Sequence, residues 1–158
     1  MTDRPEFVYV TYIAASVEKV WQALTDGEFT SRYWFGRRIT SDWRAGSEVR
    51  HVRPDGGADW VGEVLEADYP RRLSYTFVMQ MNDETRAEGP SRVTYDLQSL
   101  EVVTKLTLTH DRHDTPGITF SNTSNGWPAL MSSMKSLLET GEALPFTRLG
   151  FGPDRTTL

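Results

Sequence analysis

Apolar and polar residues alternate along most of this chain, and a helical spacing replaces the alternation only near its two ends. Residues 7–13 alternate enough to form a first strand. Ser16 then suits a helix N-cap, Glu18 falls in the first turn, and Val17, Val20, Trp21 and Leu24 mark one face of a short helix closed by Gly27. Lys19 stands where a capping box needs Glu or Gln, so that motif is absent. A second short helix is expected over 28–34, ending in Tyr33-Trp34-Phe35-Gly36.

Strand-like segments follow at 37–40 and 47–53, and Pro54-Asp55-Gly56-Gly57 signals a turn. Residues 58–68 resume as strand, 69–72 turn, and Leu73, Tyr75, Phe77, Met79 and Met81 recur at period two. After a polar loop expected over 82–90 come Val93, Tyr95 and Leu97, then Val102, Thr104, Leu106, Leu108 and His110. These last three strands predict an antiparallel meander. Residues 111–125 read as a second polar loop. The closing helix is expected from near Gly126, with Pro128 in its first turn and apolar residues at 127, 130, 131, 134, 137 and 138. Gly141 then offers a left-handed terminator.

This order predicts an α+β fold, with helices gathered on one face of an antiparallel sheet. One domain is expected over 1–143, followed by a loosely packed tail at 144–158 that holds two Pro and two Gly. A sheet-forming chain that ends in an amphipathic helix must lay that helix across the sheet. The space between them is then either a core or a pocket.

Composition narrows the function. The 158 residues, 38% hydrophobic and 25% charged, are enough for a real core and fit a soluble globular protein. There is no cysteine, which excludes disulfides, thiolate metal sites and a cysteine nucleophile and fits a reducing cytoplasm. No apolar run approaches the roughly 20 residues of a membrane span, and the N-terminus lacks the order of a signal peptide. No membrane insertion is therefore expected. A net charge of −5 argues against nucleic-acid binding, which relies on basic surface. Arg37, Arg38, Arg44, Arg50 and Arg53 nevertheless crowd one region. A solvated strand face is the plain account, and an anion-binding or protein-docking patch is the alternative.

Several segments resemble one family. Residues 16–26 (Ser-Val-Glu-Lys-Val-Trp-Gln-Ala-Leu-Thr-Asp) resemble the opening helix of START-like, helix-grip (Bet v 1-type, SRPBCC) domains. Gly62-Glu63-Val64-Leu65-Glu66-Ala67 and Pro70-Arg71-Arg72-Leu73-Ser74-Tyr75 resemble their central hairpin. Thr107-Leu108-Thr109-His110, then Gly126-Trp127-Pro128 through Leu137-Leu138-Glu139-Thr140-Gly141, resemble the last strand and helix. Across residues 7–141 the ordered set is similar to the bacterial branch that resembles the C-terminal domain of the activator of the 90-kDa heat-shock protein ATPase. The resemblance implies a curved antiparallel sheet around a long C-terminal helix, two short helices after the first strand, and a cavity between helix and sheet. Members of the superfamily bind lipids, sterols, polyketides or plant hormones, and some are cyclases. Function has to be argued from the site.

Tyr75, Phe77 and Met79 share a strand face, Tyr95 lies on another, and Trp127, Met131 and Met134 share the helix face. They are either core or the walls of an apolar pocket with a few polar tips. On the pocket reading, which the resemblance favours, Tyr75, Tyr95 and His110 orient a ligand's polar group. Phe77, Trp127, Met131 and Met134 enclose its apolar body, and Trp34, Trp43 and Trp60 line the mouth. His110 continues the inward alternation of Leu106 and Leu108. It would bond a ligand or act as acid or base, although a strand-end histidine satisfied by backbone or water is the plainer account. His51 reads the plain way. His110-Asp111-Arg112-His113-Asp114 matches no metal-ligand spacing, and Glu63 and Glu66 fall on opposite faces of a regular strand. No nucleophile elbow, phosphate loop or dinucleotide fingerprint is present. The expectation is a cofactor-free, metal-free domain that binds a small, mostly apolar molecule. The alternatives are a chaperone-associated interaction module and a cyclase or hydrolase using His110.

Overall fold

The computed structural model describes residues 4–113 and 117–145. Strand β1 (Phe7–Ile13) leads into helix α1 (Val17–Thr25), whose N-terminus is closed by the Ser16 side chain accepting from the Lys19 N–H. Val20, Trp21, Ala23 and Leu24 form its buried face. Asp26 ends α1 and also caps α2 (Gly27–Tyr33), its carboxylate accepting from the Glu28 N–H at 2.8 Å. Gly27 therefore opens the second helix rather than closing the first.

Strands β2 (Arg38–Thr40), β3 (Glu48–Val52), β4 (Ala58–Asp68), β5 (Arg72–Met79), β6 (Ser91–Leu100) and β7 (Val103–Asp111) follow. Together with β1 they make one seven-stranded antiparallel sheet in the order β1-β7-β6-β5-β4-β3-β2. The meander expected from β5 to β7 is present, and the first strand returns to the edge beside the last. Alternation sends Val49, Trp60, Val64, Tyr75, Phe77, Val93, Tyr95, Leu106 and Leu108 into one core. Helix α4 (Ile118–Thr140) lies across that face and ends at Gly141 in the left-handed conformation (φ 86°). This is the expected helix-grip α+β fold.

Four expectations need correction. Helix α4 starts at Ile118, so residues 118–125 are helix rather than loop, and Pro128 stands inside the helix rather than in its first turn. The N-cap residue, Gly117, has no side chain to cap with. Glu88 does it from across the fold, its two carboxylate oxygens accepting the Ile118 and Thr119 N–H groups at 2.8 and 2.9 Å. The segment 82–90 also contains a short helix, α3 (Asp83–Ala87), started by a capping box between Asn82 and Thr85. Strand β4 is irregular: its register shifts between Val64 and Glu66, and Glu63 and Glu66 are both exposed instead of being split between faces. The segment expected as a tail lies, from 146 onward, outside the described residues.

Candidate ligand-binding site

Rings from α2, β3, β4, β5, β6, β7 and α4 meet between the helix and the sheet. His51 and Trp60 are register partners on β3 and β4, and their rings stack 5.0 Å apart at 9°. Trp60 stacks in turn on Tyr75 at 5.2 Å and touches Phe77 at 4.7 Å. Trp34, at the end of α2, covers His51 at 4.2 Å and meets Trp127 of α4 edge-on at 5.6 Å. Trp127 also approaches Tyr95 and Phe77, both at 6.4 Å. Met79, Met131 and Met134 belong to the same buried cluster.

Of the side chains expected at the site, Trp34, Trp60, Tyr75, Phe77, Met79, Tyr95, His110, Trp127, Met131 and Met134 are therefore brought together, all buried. Trp43 sits at the edge, half-buried, 6.2 Å from Tyr75, with its Nε1–H given to the Thr25 carbonyl at 3.1 Å. Open grooves lie elsewhere, beside α1 at Trp21 and Tyr69 and on the outer sheet face at Arg72 and Asp96.

The polar atoms in this seam differ in how they are satisfied. His110 is fully committed: Trp127 Nε1–H donates to its Nδ1 at 3.0 Å, so Nε2 carries the proton and donates to Ser91 Oγ at 2.7 Å. Ser91 in turn donates to the Phe77 carbonyl at 3.2 Å. Burial, reinforced by neighbouring His113, pushes His110 well below the usual histidine range. Neither nitrogen is left to take a proton from a ligand. The Tyr75 and Tyr95 hydroxyls lie 3.4 Å apart, and burial raises both above the usual tyrosine range. The Tyr33 hydroxyl donates to the Ala23 carbonyl at 2.8 Å.

His51 and Trp60 are the contrast. Both ring nitrogens of His51 and Nε1 of Trp60 are sealed from solvent without a hydrogen-bond partner. Asp59 Oδ2 stands 3.8 Å from His51 Nδ1, beyond hydrogen-bond reach, and acts through its field. Burial lowers His51, and Asp59 opposes that shift only in part. Asp59 is itself held by Arg37 Nε at 2.7 Å and Arg53 Nη1 at 3.2 Å. Burial works to raise its carboxyl, but His51 and Arg37 outweigh it and hold Asp59 at about 2. Arg37 is thus buried in an ion pair rather than standing on a solvated strand face, whereas Arg38, Arg44 and Arg50 are exposed. No backbone or side-chain atom among the described residues answers His51, so the backbone partner expected for it is not there. The signal was in the sequence: His51 follows Val49 at period two on the inward face. Among the described residues no three His, Asp or Glu side chains converge as a metal-ligand set, and no helix is long and apolar enough to cross a membrane.

The family described as Activator of Hsp90 ATPase homolog 1-like protein matches residues 14–139. No curated protein matches the sequence. Among solved structures, the Aha1 dimer from Colwellia psychrerythraea is similar at 21% identity and TM-score 0.71, over 88% of this chain and 99% of that one. An HSP90 activator from Plasmodium falciparum is similar at 24% identity and TM-score 0.64, over 77% and 86%. CalU16 from Micromonospora echinospora is similar at 19% identity and TM-score 0.68, over 93% and 89%. At these identities the likeness establishes the fold.

Proposed function

The chain belongs to the Activator of Hsp90 ATPase homolog 1-like family, and on that footing we propose that it binds a small, mostly apolar molecule between α4 and the concave sheet face. Lipid, sterol and polyketide-like molecules are the class in view, in a cytoplasmic setting that suits a cysteine-free chain. The observation that carries the reading is the aromatic seam, in which rings from seven separate elements converge with three adaptable methionines around polar atoms left without partners. A core needs apolar volume alone, whereas a ligand site combines it with a few polar groups awaiting a partner. Room for the ligand comes from the Trp34–Trp43 side, where Phe35 and Trp43 hold positive φ angles of 52° and 56° and Trp43 is half-buried.

The test is an amide NMR titration of the full chain with lauric acid, cholesterol sulfate and an aromatic polyketide. Saturable shifts gathered at Tyr75, Tyr95 and residues 127–138 are expected. Silence with all three overturns the reading.

A second reading, a docking module for a chaperone or other protein, draws on Arg44 and Arg50, which are exposed and make no ion pair among the described residues. It predicts that Arg44→Glu or Arg50→Glu abolishes capture of a 90-kDa-class chaperone and leaves the titration unchanged.

A further inference from the structure

The unpartnered atoms of His51 and Trp60 define what the bound molecule must offer. Leaving a buried donor or acceptor unpaired is costly, and a native fold keeps such groups where something else pairs with them. His51 is 0% exposed and Trp60 1% exposed, and their parallel stack makes one slab carrying an imidazole edge and an indole N–H. The carboxylate of Asp59, 3.8 Å from Nδ1, favours the proton on that nitrogen. Nε2 then presents a lone pair and Trp60 Nε1 presents a hydrogen. A hydroxyl, which donates and accepts through one small atom, satisfies the pair without bringing a second polar group into an apolar slot.

The cover over this pair is Trp34. Its ring lies 4.2 Å from His51, 6.3 Å from Trp60 and 5.6 Å from Trp127. It ends a seven-residue helix and is followed by two residues with positive φ, Phe35 at 52° and Gly36 at 77°. Phe35 sits in the left-handed region, unusual for a bulky residue, so the chain turns sharply directly after Trp34. The slot that Trp34 vacates has the size and flatness of an indole and is walled by His51, Trp60 and Trp127.

Resting on the function proposed above, we infer that the site takes a flat, hydroxyl-bearing aromatic molecule. It displaces Trp34, donates its hydroxyl hydrogen to His51 Nε2 and accepts from Trp60 Nε1–H.

The wild-type chain is titrated with 2-naphthol, 2-methoxynaphthalene and naphthalene while the indole N–H signals of its five Trp are followed by NMR. The expected result is that 2-naphthol binds about tenfold more tightly than either analogue, with the Trp60 N–H signal moving downfield. His51→Phe keeps a ring in the stack, and it should erase the preference for 2-naphthol over naphthalene and 2-methoxynaphthalene. Equal affinity for the three probes with an unmoved Trp60 signal overturns the hydroxyl subsite and leaves the apolar site standing. Silence with all three, alongside shifts from lauric acid or cholesterol sulfate, has the same meaning. Silence with every molecule overturns both. The Trp60 signal in the wild-type chain decides the matter even where His51→Phe does not fold.

Discussion

The indole N–H of Trp127 donates to His110 Nδ1 across 3.0 Å, tying the middle of α4 to the inward face of β7. Through Nε2 the same imidazole reaches Ser91 of β6, and Ser91 reaches the Phe77 carbonyl of β5. Three adjacent strands and the helix that crosses them thus share one hydrogen-bonded line inside an apolar core. Trp127→Phe keeps a ring in place but leaves Nδ1 buried and unpaired. A loss of about 1–3 kcal/mol in urea unfolding is expected. An unchanged midpoint would show that the bond contributes nothing to stability.

Burial holds both His51 and His110 below the usual histidine range in the folded chain. The unfolded chain, with histidines near 6.5, binds protons below that pH that the folded chain refuses. Stability is therefore full above about pH 6.5 and falls as the pH drops from there toward the folded values. Each imidazole contributes a slope approaching about 1.4 kcal/mol per pH unit. Asp59, held at about 2, adds a further loss in the same direction once the pH passes below the ordinary carboxylate range. Urea midpoints measured between about pH 8 and pH 5 test this. A flat profile would mean that the imidazoles take up protons in place.

Glu88 substitutes for a missing N-cap on α4. Its carboxylate draws on two backbone N–H groups at a helix start where negative charge is favoured, and these hold it below the usual range although burial works the other way. Glu88→Ala should cost about 1–2 kcal/mol. Amide exchange should speed up over 118–125 and remain slow over 127–138. Uniform exchange along the whole helix would argue against a local cap.

Arg37 is 7% exposed and depends on Asp59 for its counter-charge. Asp59→Asn leaves that guanidinium buried with no anion, at a cost of about 2–3 kcal/mol, reduced from a fully buried pair because Asp59 keeps some contact with water. Replacing both partners, as in Arg37→Met with Asp59→Asn, should recover part of the loss. A double variant no more stable than the single one would point to lost packing instead of a stranded charge.

Gly62 lies against β5 so closely that a Cβ would stand 1.8 Å from the Thr76 carbonyl oxygen. Backbone cannot yield there without parting β4 from β5. Gly62→Ala should destabilise the fold by about 3 kcal/mol or more and weaken amide protection on both strands. Wild-type stability in this variant would contradict so close an approach.

Periodicity was enough to predict the strands, the two short early helices and the stretch of α4 from Trp127 to Gly141, because each buries one face at a fixed spacing. It missed the first two turns of α4 and all of α3. Residues 118–125 are mostly Thr, Ser and Asn with a weak apolar stripe. They are helical because Glu88 caps them from another element and because Thr119 and Thr123 are buried. The bulge in β4 was equally out of sight, since register belongs to a pair of strands and not to one.

Alternation and helical spacing alone specify which aromatic and methionine side chains turn inward, and with them the α+β architecture. Which polar atoms in that seam find partners depends instead on how the helix and sheet close. His110 and His51 look alike in sequence, each an inward histidine on a strand. One is answered by Trp127 and Ser91, the other faces Trp34 and Trp60 with no partner. Hydrogen bonds depend on angles and on tenths of an ångström between residues far apart in the chain, and those are set only when helix and sheet close on one another.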